Sequence, residues 1–237
     1  MNTELINYTN KFEWDSNPIQ QKSFFLIKNK WLFFSLIPVI TTILAVNLQF
    51  SPAFTYTLGK ILMIMIPLYF VRFNEVKFNI DFKNTFLSAV ILCILPILLI
   101  SFGFLNNLDA TPILDKLTSL GLEKSFFIVA VFLSLINAPI EEWFYRIYLL
   151  KETQGSNHKK CTINAILFMP HHLAVLILYF PLAYALLFTI GTGCASYAWA
   201  LMRLKGASFI SLAISHCICD IVVIYIAGSV ILQNNGL

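Results

Sequence analysis

The chain has 237 residues, 58% of them hydrophobic and only 12% charged, and its mean hydropathy is +0.77. A soluble domain is nearer half apolar and a quarter charged, so this composition excludes an ordinary soluble domain and describes a membrane one. The formal net charge of +4, with no basic stripe interleaved with aromatics, gives no argument for nucleic acid as a partner.

Residues 1–30 read as a short polar cytoplasmic segment carrying both signs of charge. A secretory signal would place its apolar core closer to the start, ahead of a small-residue cleavage site. Here the apolar run begins near Trp31 and is read as an uncleaved first span. Residues 31–237 then form one membrane-embedded helical domain. Its fold class is all-α, a polytopic transmembrane helical bundle of about seven spans: 31–48, 54–71, 85–104, 125–147, 162–179, 182–202 and 207–232. Each is near the roughly 20 helical residues that cross a hydrocarbon core about 30 Å thick.

Lys60 lies in the second span, near enough to an end for its ammonium to snorkel toward the headgroups. Gly191 and Gly193 in the sixth read as sites of close helix packing. The cysteines (Cys93, Cys161, Cys194, Cys217 and Cys219) show no zinc-like spacing and read as small core residues. Basic residues fill the N-terminal segment and every even-numbered loop: Arg72, Lys77 and Lys83; Lys151, Lys159 and Lys160; Arg203 and Lys205. The third loop has Lys116 and Lys124, and the remaining loops have none. The positive-inside rule therefore puts the N-terminus in the cytoplasm and the C-terminus outside, in keeping with an odd number of spans.

An ionisable group at mid-membrane costs about 2.5–3.5 kcal/mol even on the insertion scale and is a functional candidate by default. Three clusters qualify. The fourth span ends Asn137-Ala138-Pro139-Ile140-Glu141-Glu142-Trp143-Phe144-Tyr145-Arg146, the fifth carries Phe168-Met169-Pro170-His171-His172, and the seventh carries His216-Cys217-Ile218-Cys219-Asp220. With the predicted orientation, all three lie at one depth below the cytosolic surface. Glu142 and Arg146 are four residues apart on a helix and can pair. Glu141, turned by about 100°, is left for another task. Asp220 stands four residues after His216 and can orient its ring. His171 reads as a packing residue beside His172.

Hydrolysis fits these groups. Glu141 can take a proton from water and return it to a leaving amine, His172 can share that water, and His216 oriented by Asp220 can donate to an oxyanion. Alternatively Glu141, His172 and His216 are a two-histidine, one-carboxylate set able to hold zinc. The residues leave both readings open, so the cofactor is either zinc or none. There is no HExxH helix, no serine elbow and no pair of membrane aspartates.

Glu141-Glu142-x-x-x-Arg146, Phe168-x-x-x-His172 and His216-x-x-x-Asp220 resemble, in order, the three signatures of the CPBP intramembrane proteases. That family includes the CAAX-processing Rce1-type enzymes and was long called Abi. The family-like core covers about residues 120–235. The resemblance implies a glutamate-type or metallo-endopeptidase in which Glu141 and His172 activate water and His216 with Asp220 holds the oxyanion, Glu142 and Arg146 completing the first motif. Members are often labelled metalloproteases, though a metal-free glutamate mechanism is favoured for Rce1-type enzymes. The chain departs from the pattern at Ile147, where glycine is frequent, and at Asp220, where Rce1-type enzymes have asparagine. The implied partners are a protein or peptide substrate and a lipid bilayer, and the implied location is a multi-pass protein of a bacterial plasma membrane. Two other classes share these residues: a non-catalytic immunity or scaffold member of the family, and a proton-coupled transporter.

Overall fold

The computed structural model describes residues 30–72, 76–102 and 126–234, together with Thr111, Asp115, Thr118 and Ser119. The predicted polar N-terminal segment up to residue 29 and the two lysines of the third loop lie outside the described residues. Among the described residues helix is the only regular secondary structure, and a helical segment falls on each predicted span: α1 (Lys30–Asn47), α2 (Pro52–Phe70), α3 (Phe82–Ser101), α4 (126–152), α5 (Asn157–Leu176), α6 (Leu182–Leu204) and α7 (Phe209–Asn234). Only helices satisfy every backbone group within one segment in lipid. Threonine hydroxyls in these helices follow the same logic: those of Thr41, Thr85 and Thr189 each donate to the carbonyl one turn back.

Helix ends follow local chemistry. Ser156 caps α5 by accepting from the Lys159 N–H, and Gly206, at φ +100°, turns the chain after α6, a backbone region that glycine enters without steric cost. Among the described residues three helices, α1, α2 and α6, are long and apolar enough to cross a bilayer by themselves. Shorter apolar stretches, Thr85–Leu98 and Phe209–Tyr225, lie in α3 and α7. In α4, residues 141–150 are buried without interruption, so this half of the helix faces protein on all sides and can carry charge. The outside of the bundle is the reverse, with Phe33, Phe54, Phe86, Phe102, Ile128 and Leu182 each more than half exposed. A surface of that kind is matched by lipid tails. The protein is an integral membrane protein with an all-α bundle fold.

α4 is the centre. α2, α5 and α7 pack against it, α1 closes the gap between α2 and α5, α3 backs α7, and α5 and α6 form an antiparallel hairpin. Single polar side chains tie these pairs. Trp143 Nε1 donates to the Ile64 carbonyl (3.3 Å), Asn164 Nδ2 to the Tyr145 carbonyl (2.8 Å), Asn47 Nδ2 to the Ala174 carbonyl (3.0 Å), and Ser88 Oγ to Ser215 Oγ (3.0 Å). The α1–α2 contact is tight at Gly59, where an added Cβ would stand 2.8 Å from the Thr41 Cβ. Thr41 is β-branched and stiff, so Gly59→Val is expected to cost roughly 1–3 kcal/mol. It would be read as a lowered thermal midpoint in detergent; an unchanged midpoint would contradict this close approach. Gly193 is likewise packed, facing the Met169 side chain, but Gly191 meets open space within 4 Å and does not serve the packing role predicted for it. All five cysteines are free thiols, three of them buried; Cys194 is exposed on α6 and is not a core residue.

Candidate active site

Two π-helical stretches, Leu133–Asn137 and Trp143–Leu149, flank the α-helical turn Ala138–Glu142 in α4. The first ends just before Pro139, which lacks the N–H a continuous α-helical ladder would use. Such widened turns recur at functional sites because they re-aim side chains. Here they present two adjacent carboxylates, Glu141 and Glu142, to different partners. Both are almost wholly buried, at 2% and 0% exposure.

Glu141 faces α2 and α5. Its Oε1 accepts from Asn137 Nδ2 at 2.7 Å and from Lys60 Nζ at 3.3 Å, and lies 3.4 Å from His171 Nε2, within ion-pair reach but outside hydrogen-bond geometry. Its Oε2 has no hydrogen-bond partner among the described residues. Nδ1 of His171 meets the Tyr145 hydroxyl at 3.2 Å, and the two rings are stacked. The Tyr145 hydroxyl has one hydrogen and also lies 3.5 Å from the Leu167 carbonyl; with that hydrogen on the Nδ1 contact, the Nε2–H of His171 points at Glu141. His172 Nδ1 lies 3.1 Å from the Phe168 carbonyl one turn back. A carbonyl only accepts, so Nδ1 carries the proton and Nε2 keeps its lone pair. Phe168 lies against this ring, 4.4 Å between centroids.

Glu142 faces α7. Its Oε1 accepts from His216 Nδ1 at 2.9 Å, and its Oε2 lies 3.3 Å from Arg146 Nε. His216 is therefore bracketed by carboxylates, since its Nε2 is 3.5 Å from Asp220 Oδ1. Trp199 stacks on the ring at 4.1 Å, and its indole N–H donates to Ser215. The Arg146 guanidinium is buried and has no hydrogen-bond partner among the described residues. Beyond the Glu142 carboxylate it has the rings of Phe168 (4.9 Å) and Trp199 (5.7 Å), both within cation–π range.

The six residues singled out from sequence thus meet in one buried region, but as two networks. Glu141 and His172 belong to the first; Glu142, Arg146, His216 and Asp220 belong to the second. The group whose donor atoms converge is Glu141, His171 and His172, all within 4.8 Å of one another. His216, named in the sequence-derived zinc set, instead has a carboxylate at each ring nitrogen. Three members of the first network were not legible: Lys60, which turns inward to Glu141 instead of outward to headgroups, His171, and Asn137. A lone lysine inside a span, and an asparagine four residues before a buried glutamate, were the available signals.

The arrangement offers a carboxylate with one open oxygen, a histidine lone pair beside it, and a second histidine with an orienting acid. Comparison with known proteins agrees with the motif reading. Residues 123–222 match the Rce1-like family, described as type II CAAX prenyl endopeptidase. No curated protein and no solved structure gave a match.

Proposed function

Residues 123–222 are an Rce1-like domain, and on that premise we propose that the protein is an intramembrane endopeptidase in which Glu141 activates the water that cleaves a peptide bond near the cytosolic side. The carrying observation is the asymmetry of the Glu141 carboxylate. Oε1 is committed to Asn137 and Lys60, and Oε2 is buried with no hydrogen-bond partner among the described residues.

In this reading water donates one hydrogen bond to Oε2 and the other to the His172 Nε2 lone pair. Glu141 takes the proton as the water oxygen bonds to the substrate carbonyl carbon, whose C=O electrons move to oxygen. Collapse of that tetrahedral species breaks the C–N bond, and Glu141 gives its proton to the leaving nitrogen. Of the two nitrogens of His216, Nε2 has the longer contact, 3.5 Å to Asp220, which makes it the atom available to the oxyanion. Glu142 and Arg146 hold that ring from behind. The substrate class follows the family description: a protein or peptide end of CAAX type. The basic loops predicted on the cytosolic side support the orientation.

Family members carry a metalloprotease label, so the fit of a divalent cation matters. Glu141, His171 and His172 converge as ligands would, but the Lys60 ammonium already lies 3.3 Å from Glu141 Oε1. A doubly charged ion about 5 Å from that ammonium would meet a repulsion of about 7 kcal/mol at an effective dielectric of about 20. His171 also directs its Nε2 toward the carboxylate. This donor set does not suit a resident divalent cation.

The test is cleavage of prenylated CAAX-type peptides and of leader peptides by the purified protein in lipid. Wild type is expected to cleave with less than about a twofold response to chelator, and His172→Ala to lower kcat by about 10²–10⁴-fold, the range of a positioned acid–base group. A folded wild type silent across both panels would replace this reading with a non-catalytic peptide-binding role.

A further inference from the structure

α2 lies outside the Rce1-like segment, yet it reaches the buried carboxylate. Tyr56 and Lys60 stand one turn apart on α2, and Asn137 and Glu141 one turn apart on α4. The two pairs face each other. The Tyr56 hydroxyl donates to Asn137 Oδ1 at 3.4 Å, Asn137 Nδ2 donates to Glu141 Oε1 at 2.7 Å, and Lys60 Nζ donates to the same oxygen at 3.3 Å. The ammonium also lies over the Tyr56 ring, 5.1 Å from its centroid. The asparagine amide has one consistent orientation here, accepting from tyrosine and donating to glutamate. With 17% of its side chain exposed, Lys60 sits inside the bundle beside an almost wholly buried carboxylate.

We propose that Lys60 is a positioning residue of the active site: its ammonium fixes Glu141 with Oε1 engaged and Oε2 open, and its charge keeps divalent cations off Glu141, His171 and His172. The proposal rests on the endopeptidase reading for its kinetic part only. A lysine that merely cross-linked α2 to α4 would set stability; this one sets which oxygen is the base and which cations the cluster accepts. At 3.3 Å from Glu141 Oε1, the Lys60 ammonium supplies charge as well as reach.

The experiment uses full-length protein in lipid, comparing wild type, Lys60→Met and Lys60→Arg. Lys60→Met is expected to lower kcat at least about 30-fold with KM changed less than about threefold, and Lys60→Arg to recover most of that loss. Unchanged kcat, or a loss in KM alone, overturns the positioning role. Zinc uptake, measured by metal analysis after equilibrium dialysis, is read separately and needs no activity. Lys60→Met is expected to bind about one equivalent that is lost on adding Glu141→Gln, at a zinc concentration where wild type binds less than about a tenth as much. Equal zinc in wild type and Lys60→Met overturns the cation-exclusion role even if every peptide is left uncut, whereas silent wild type with the expected zinc difference overturns only the endopeptidase reading. If Lys60→Met does not fold, the double variant Lys60→Met/Glu141→Gln removes both charges together. Its recovery is the expected result for a residue acting through Glu141, and its failure to fold overturns the proposal.

Discussion

Glu141→Gln is expected to lower peptide cleavage by about 10⁴-fold while leaving the protein folded. The glutamine can still accept from Asn137 and Lys60 at the position of Oε1, so the α2–α4 contacts of that oxygen can survive. What disappears is the only part that matters to water: an open oxygen able to take a proton and give it back. Both proton transfers pass through that atom in the proposed mechanism, which puts the loss at the upper end of acid–base effects. Glu142→Gln is the informative neighbour. It keeps an acceptor for His216 Nδ1 and loses the charge facing Arg146, so its effect is expected mainly in stability. Single-turnover cleavage with thermal midpoints for both variants checks the assignment. If Glu142→Gln abolished cleavage and Glu141→Gln retained it, the base would have been assigned to the wrong carboxylate.

Arg146→Met is expected to destabilise the bundle by roughly 3–5 kcal/mol, the usual cost of breaking a buried ion pair from one side. The guanidinium is 1% exposed and the Glu142 carboxylate 0%, and no water shell can take over the charge left behind. Glu142 would then face only His216, whose other nitrogen is held near Asp220. Removing both charges in Arg146→Met/Glu142→Gln is expected to recover most of the loss, because a buried pair replaced as a unit is often close to neutral. Reversible unfolding in mixed micelles, analysed as a double-mutant cycle, measures the coupling. An additive double variant would show that the pair does not interact across its 3.3 Å separation.

The pairs that lie within one helix were legible. Glu142 with Arg146, and His216 with Asp220, follow from a spacing of four residues, and the structure has both, at 3.3 Å and 3.5 Å. That the three motifs can meet along the bundle was also legible, because rise per residue converts chain position into height, and the structure brings Glu141 to His171 and Glu142 to His216. Contacts between helices were not. His216 to Glu142, Lys60 to Glu141 and His171 to Glu141 depend on how each helix is rotated about its axis, and a nearly all-apolar helix carries little pattern that fixes rotation. The π stretches around Ala138–Glu142 shift that rotation again in the middle of α4. Hence the reading of His171 as a packing residue beside His172 missed its place at Glu141, and the convergent ligand set differs from the expected one at a single histidine.

By itself, then, the sequence determined the solvent and the inventory. Apolar runs of bilayer length require helices, since lipid offers no partner for backbone groups, and the few charges inside those runs had to be gathered somewhere in the bundle interior. The tertiary structure decided how that inventory is divided. It gave Glu141 a lysine, an asparagine and an open oxygen, gave Glu142 an arginine and a histidine, and buried the second half of α4 so that both could remain in the membrane. The physical reason is that ion pairs and hydrogen bonds need contact distance and alignment, while a buried charge left without a partner is costly. Such distances are set by helix rotation and packing, which no one helix's sequence contains.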